Sequence, residues 1–238
     1  MPRYINGLLP SILPTTLPTE YQMKTCLQAL VLITASLSLA QVAIAQGDAT
    51  AGKNKAAVCT ACHGADGNSY PGMGKFPKLA GLGEKYLDKQ ISDIKSGDRK
   101  VVEMTGMLNA LSQQDISDIA AYYNVQTRTL DGSKDDTKTL ERGENLYRAG
   151  NLETGVPACT GCHSPAGNGN GPAGYPALGG QSAEYIASQL RAFRTAAHDA
   201  EDPTGRSNDE GSVMRGVAAH MSEQEIIAVA NYIAGLHQ

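Results

Sequence analysis

The 238-residue chain contains no tryptophan and two phenylalanines, and aromatic residues make up only 5% of it. Aromatic side chains supply much of the buried area in ordinary cores. A chain long enough for one or two domains therefore needs something besides side chains to fill its interior. Charge of one sign is also scarce: the formal net charge is −4 and 18% of residues are charged. The basic footprint of a nucleic-acid binder is absent. An apolar share of 41% also sets the chain apart from mainly disordered sequences. No stretch alternates convincingly with a two-residue period, which points away from a sheet.

The main apolar stretch, Leu27 to Leu39, is shorter than the ~20 residues a helix needs to span a bilayer. It follows Lys24 and precedes Ala43-Ile44-Ala45, the order of a secretory signal with a small-x-small cleavage site. Residues 1–45 are therefore expected to be a leader and cleaved signal peptide, and the remainder an exported protein. Cys26 leaves with that segment. Cys59, Cys62, Cys159 and Cys162 remain, and in an exported chain four cysteines would by default form two disulfides.

An internal duplication argues otherwise. Cys59-Thr60-Ala61-Cys62-His63 matches Cys159-Thr160-Gly161-Cys162-His163 at an offset of 100 residues. Phe76-Pro77-Lys78-Leu79-Ala80-Gly81 matches Tyr175-Pro176-Ala177-Leu178-Gly179-Gly180 at 99, as do Tyr86, Leu87, Gln90 and Ile91 with Tyr185, Ile186, Gln189 and Leu190. Ser112 with Asp115, and Ser222 with Glu225, read as capping-box starts. Apolar residues at i, i+3, i+4 and i+7 follow each of them, the spacing of a buried helix face. Leu87, Ile91 and Ile94, with Ile186, Leu190 and Phe193, mark a middle helix in each copy. The class is all-α, with one module over 46–130, a polar linker over 131–140 and a second module over 141–238.

C-x-x-C-H is the signature of covalent haem c attachment. Two thiols on one side of a turn can form thioethers with one porphyrin, and the adjacent histidine is held beneath the iron. A thioredoxin-like dithiol would need a βαβ setting, and a four-thiolate zinc site would have to join two similar modules and leave both histidines idle. The doubled motif therefore predicts two covalently bound haem c groups, tethered by Cys59 and Cys62 and by Cys159 and Cys162. Haem also accounts for the shortage of aromatic filling.

His63 and His163 each supply one axial position. Among the methionines only Met104 and Met214 recur as a pair, each eight residues before a capping serine, so they are the expected sixth ligands. Met107 remains the rival in the first module. His198, His220 and His237 lack counterparts and read as surface or supporting residues. The carbonyls of Pro77 and Pro176 are placed to accept the Nδ1 proton of the two axial histidines, although a simple turn proline explains them about as well. Gly169-x-Gly171-x-x-Gly174 matches the dinucleotide fingerprint only formally, since it follows no strand and opens no helix.

With these segments in view the chain resembles the cytochrome c4 family. The likeness rests on the two C-x-x-C-H motifs and their flanks, on Glu103-Met104-Thr105-Gly106-Met107 and on Val213-Met214-Arg215. It implies two tandem class I cytochrome c domains related by a pseudo-twofold axis, with Met104 and Met214 as sixth ligands. It also implies a periplasmic electron carrier, not an enzyme, between a quinol-oxidising complex and a terminal haem-copper oxidase, with possible peripheral membrane association. The alternative is a di-haem subunit of a dehydrogenase, such as a flavocytochrome sulfide dehydrogenase. A di-haem peroxidase would need an open iron position, and full axial ligation leaves none.

Charge divides unevenly between the copies: residues 46–130 carry 10 basic and 9 acidic side chains, residues 141–238 carry 6 and 11. Lys75, Lys78 and Lys85 are accordingly expected to form a docking face on the first module. The second module has 11 more residues between Phe193 and Met214 than the first has between Ile94 and Met104. This insertion is acidic and reads equally well as a solvated loop.

Overall fold

Each C-x-x-C-H motif sits between a helix that opens its module and a longer one that follows. The computed structural model describes residues 47–134 and 136–237, and the expected leader over 1–45 lies outside them. The first module begins with α1 (Ala49–Lys55), whose exposed start is capped by Asp48 accepting from the N–H groups of Thr50 and Ala51. A 3₁₀ turn over Ala56–Cys59 leads into α2 (Thr60–His63), a single turn. Helix α3 (Glu84–Ser96), a 3₁₀ turn over Val102–Met104 and α4 (Gln113–Asn124) complete it.

The second module repeats the order as α5 (Thr137–Ala149), α6 (Thr160–His163), α7 (Ala183–His198), α8 (Val213–Ala219) and α9 (Glu223–Gly235). Among the described residues no strand forms; two isolated bridges, Asn151 with Val156 and Asn170 with Tyr175, are the extent of β pairing. Both expected capping boxes are present, Ser112 with Asp115 and Ser222 with Glu225. The faces they launch are buried: Ile116, Ile119, Ala120 and Tyr123 in α4, and Ile226, Val229, Ala230 and Ile233 in α9. Each buried isoleucine contributes about 1.5–3 kcal/mol over an exposed one.

Opening and closing helices cross at a glycine in both modules. A Cβ on Gly52 would stand 1.9 Å from the carbonyl oxygen of Asp118, and one on Gly143 would stand 2.2 Å from that of Ala228. Neither crossing admits a side chain.

The modules meet through the loops that follow their C-x-x-C-H turns. Lys78 N–H donates to Gln181 Oε1 at 2.9 Å and Gln181 Nε2 donates to the Lys78 carbonyl at 2.8 Å. Ala177 N–H donates to the Leu82 carbonyl at 3.4 Å. Because 78 corresponds to 177 and 82 to 181 in the repeat, these two contacts are exchanged by a twofold operation. That is the pattern of an isologous interface.

Arg128, at the end of the first module, fastens the same seam: its Nε donates to the Ala80 carbonyl at 2.8 Å and its Nη1 to the carbonyls of Ala177 and Gly179 at 2.9 and 3.1 Å. Burial pushes its pKa down to about 10. The guanidinium nonetheless keeps its charge at neutral pH.

Candidate functional site

His63 and His163 are each 7% exposed, and each closes the short helical turn that carries the second cysteine of its pair. The Nδ1 of His63 lies 2.9 Å from the Pro77 carbonyl, and the Nδ1 of His163 lies 2.9 Å from the Pro176 carbonyl. A carbonyl can only accept, so both rings carry their proton on Nδ1 and leave Nε2 with a free lone pair. Desolvation also holds the pKa of both histidines below the usual value. Neutral imidazole is the form that binds a metal. An aromatic ring stands edge-on to each imidazole, Phe76 to His63 and Tyr175 to His163, with centroids 6.4 and 6.3 Å apart.

The first module holds a cavity of about 560 Å³, within the range of a bound cofactor or ligand. Cys59, Cys62 and His63 stand on its wall, and so does Met104, with Leu87 and Leu108 among the apolar residues between them. Met107 also reaches this cavity but is 47% exposed, whereas Met104 is partly buried. In the second module Cys159, Met214, Leu178 and Val217 pack together against the core formed by Leu190, Ile226 and Val229. Burial pushes the Cys159 thiol up to about 11 and raises that of Cys59. None of the four cysteines forms a disulfide. His198, His220 and His237 are exposed.

The acidic insertion behaves as more than a solvated loop. Its segment from Ala200 to Ser207 and the flank of α7 wall the first module's cavity, so that site is completed by the second module. Arg206, 8% exposed, donates to Gln90 Oε1 at 2.7 Å, to Gln189 Oε1 at 2.7 Å and to the Tyr86 hydroxyl at 3.2 Å. From the first module Arg99 donates to Gln90, Gln189 and the Tyr185 hydroxyl, each at 3.0 Å. Tyr86 with Tyr185, and Gln90 with Gln189, are repeat partners, so the cluster straddles the twofold. Burial opposes ionisation of the Tyr86 hydroxyl, yet the two guanidiniums outweigh it and hold its pKa below the ordinary value.

These surroundings fit a haem. The thiols and an imidazole with its Nε2 free line one apolar cavity with a thioether sulfur. Arg99 and Arg206 line that cavity too and supply a cationic end for the carboxylates of a porphyrin. Sequence reasoning missed both arginines, although the paired glutamines of the middle helices were a legible trace of the cluster.

The structure redraws the expected docking face. Lys78 is 2% exposed, and its Nζ binds Asp131 at 2.7 Å and the Thr129 carbonyl at 2.6 Å. Lys85 reaches across the interface to the Pro172 carbonyl at 3.4 Å. Lys75, whose Nζ lies 4.8 Å above the Phe76 ring, faces outward beside the first cavity, and Lys85 is likewise exposed. The repeat placed Lys78 in a loop whose partner module was not visible in sequence.

Comparison with known proteins agrees with this picture. The cytochrome c family model matches residues 49–124 and again 140–237. Cytochrome c4 of Azotobacter vinelandii is 50% identical over 220 residues, which cover 88% of this chain and 99% of that protein. The crystal structure of reduced recombinant cytochrome c4 from Pseudomonas stutzeri superposes with a TM-score of 0.73 at 51% identity, covering 80% of this chain and 100% of the other. A thiosulfate dehydrogenase electron acceptor of Thiomonas intermedia is 36% identical over 181 residues, 76% of this chain and 79% of that protein.

Proposed function

The chain belongs to the cytochrome c4 family, holds two covalently bound haem c groups and transfers electrons instead of catalysing a reaction; from that premise we propose that it is a periplasmic carrier of single electrons. Its donor is a quinol-oxidising complex or a dehydrogenase and its acceptor a terminal haem-copper oxidase. Bound haem supplies the one-electron couple of its iron. The protein's residues do the rest.

Cys59 and Cys62 tether the first group, Cys159 and Cys162 the second. His63 with Met104, and His163 with Met214, would ligate the two haem irons. With both protein ligands supplied in each module, neither iron would offer an open site to oxygen or peroxide, and a methionine ligand would raise the potential. The carrying observation is the wall shared by His63 and Met104, with the His63 ring fixed by Pro77. Among the described residues no helix is long and apolar enough to cross a membrane. Membrane association, if it occurs in the cell, is peripheral in this reading.

The resemblance to a thiosulfate dehydrogenase electron acceptor supports a second reading of the donor side, in which a sulfur-compound dehydrogenase reduces the carrier directly. Rapid mixing separates the two. Oxidised holoprotein is reduced by a quinol-oxidising complex and the reduced form reoxidised by a haem-copper oxidase, both within milliseconds. Reduction by a thiosulfate dehydrogenase alone would favour the second reading, and failure with both donors would overturn the carrier assignment. The ligands have their own check: Met104→Ala and Met214→Ala each lower the potential of one haem and abolish its methionine–iron band, whereas Met107→Ala leaves both unchanged.

A further inference from the structure

The hydrogen bond that fixes the first axial histidine does not end at its acceptor. The peptide joining Pro77 to Lys78 accepts a hydrogen bond from His63 Nδ1–H on its carbonyl at 2.9 Å, and its own N–H donates to Gln181 Oε1 at 2.9 Å. Gln181 belongs to the second module and is 1% exposed. Its amide orientation is fixed by three partners: Oε1 also accepts from Ser182 N–H at 3.0 Å, and Nε2 donates to the Lys78 carbonyl at 2.8 Å. An unbroken chain therefore runs from the imidazole of one module to a side chain of the other.

The repeat partner of this arrangement is weaker. The peptide joining Pro176 to Ala177 accepts from His163 at the same 2.9 Å, but its N–H reaches only the Leu82 backbone carbonyl, at 3.4 Å. Position 82, the repeat equivalent of 181, is leucine. The two axial histidines thus have matched first acceptors and unmatched second ones.

We propose that Gln181 is a positioning residue that sets the reduction potential of the first module's haem from within the second module. The proposal rests on the reading above in which His63 is an axial ligand. Hydrogen bonding at a peptide N–H makes its carbonyl a better acceptor, because successive bonds polarise one another. A stronger acceptor at Nδ1 makes the imidazole a more basic ligand, and a more basic ligand favours the oxidised iron. Gln181 therefore lowers the first haem's potential relative to the second. It also makes that potential a property of the docked pair of modules.

The test uses the holoprotein, with each haem assigned by its proton NMR signals and followed through a redox titration. Gln181→Met has similar length but removes the acceptor. It raises the first haem's potential, shifting the electron-exchange equilibrium between the haems by at most about two- to twentyfold, the size expected if one bond of an apolar-medium chain weakens by 10–30%. The second haem's potential stays put. Gln181→Glu, which keeps an acceptor oxygen, leaves the first potential at or below its native value. Unchanged potentials in Gln181→Met, or an equal rise at both haems, would overturn the proposal while leaving the carrier reading intact. Fewer than two haems in the native protein would overturn the carrier reading and, with it, this proposal.

Discussion

The two modules solve the same packing problem with different chemistry. In the first, the crossing of opening and closing helices is bound by charge: Lys55 pairs with Asp115 at 2.5 Å and Asp118 at 2.7 Å. Asp118 also accepts from the Asp48 N–H and from Gln114, both at 2.8 Å. In the second, the residue matching Asp118 is Ala228, and the crossing is held by apolar burial and a hydrogen bond from Arg142 to Gln224 at 2.8 Å. The imbalance reverses at the interface, where the second module reaches over to supply Arg206, Gln181 and the segment from Ala200 to Ser207. Two copies of one module can therefore carry identical tethering motifs and still differ in how they respond to acid, mutation and each other.

The strongest way to separate the copies is to remove one set of tethers. Cys59→Ala combined with Cys62→Ala leaves a protein whose intact mass contains one haem in place of two, and the matching change at Cys159 and Cys162 gives the same mass. If the surviving haem's potential differs from its native value, the modules are coupled through their interface. Equality in both variants would make them independent units.

A smaller effect tests the borrowed arginine. Arg206→Ala removes a buried charged donor to Gln90, Gln189 and Tyr86 while Arg99 still donates to both glutamines, and destabilises by about 1.5–3 kcal/mol. Arg148 pairs with Glu144 at 2.8 Å inside the second module, and both side chains are about half exposed. Arg148→Ala is expected to lose far less, because a solvent-exposed ion pair contributes little. Thermal unfolding of the two holoprotein variants checks the ranking.

The smallest effect lies in the acid response. Hydrogen bonds from Lys55 hold the carboxyls of both Asp115 and Asp118 below the usual aspartate pKa. A depressed folded-state value means the stabilisation is complete above the unfolded value of about 3.9 and fades as pH falls through the folded one. The first module should thus loosen as pH falls below about 4 on account of this pair. Asp118→Asn lowers stability at neutral pH and flattens its decline in acid, as read by hydrogen exchange of α1 and α4 amides.

Reading the sequence went furthest where a rule acts over a few residues. The C-x-x-C-H turns, both capping boxes and the apolar faces of Ile116 and Ile226 all lie within single turns or helices, and all appear where spacing put them. The opening helices were not legible: α1 has seven residues, Ala49 to Lys55, and its glycine crossing is specified by a helix some 60 residues away. Lys78 looked like an exposed cation because its partners, Gln181 and Asp131, lie across the interface and in the linker. Local pattern says nothing about such neighbours.

What the sequence determined by itself is the chemistry: two pairs of thiols, two histidines and two repeating methionines, each fixed by its offset from the next. Only the tertiary structure decided how the copies are set against each other. That depends on close approach of loops 100 residues apart, where one side chain, Gln181 opposite Leu82, breaks the equality that duplication had written into the chain.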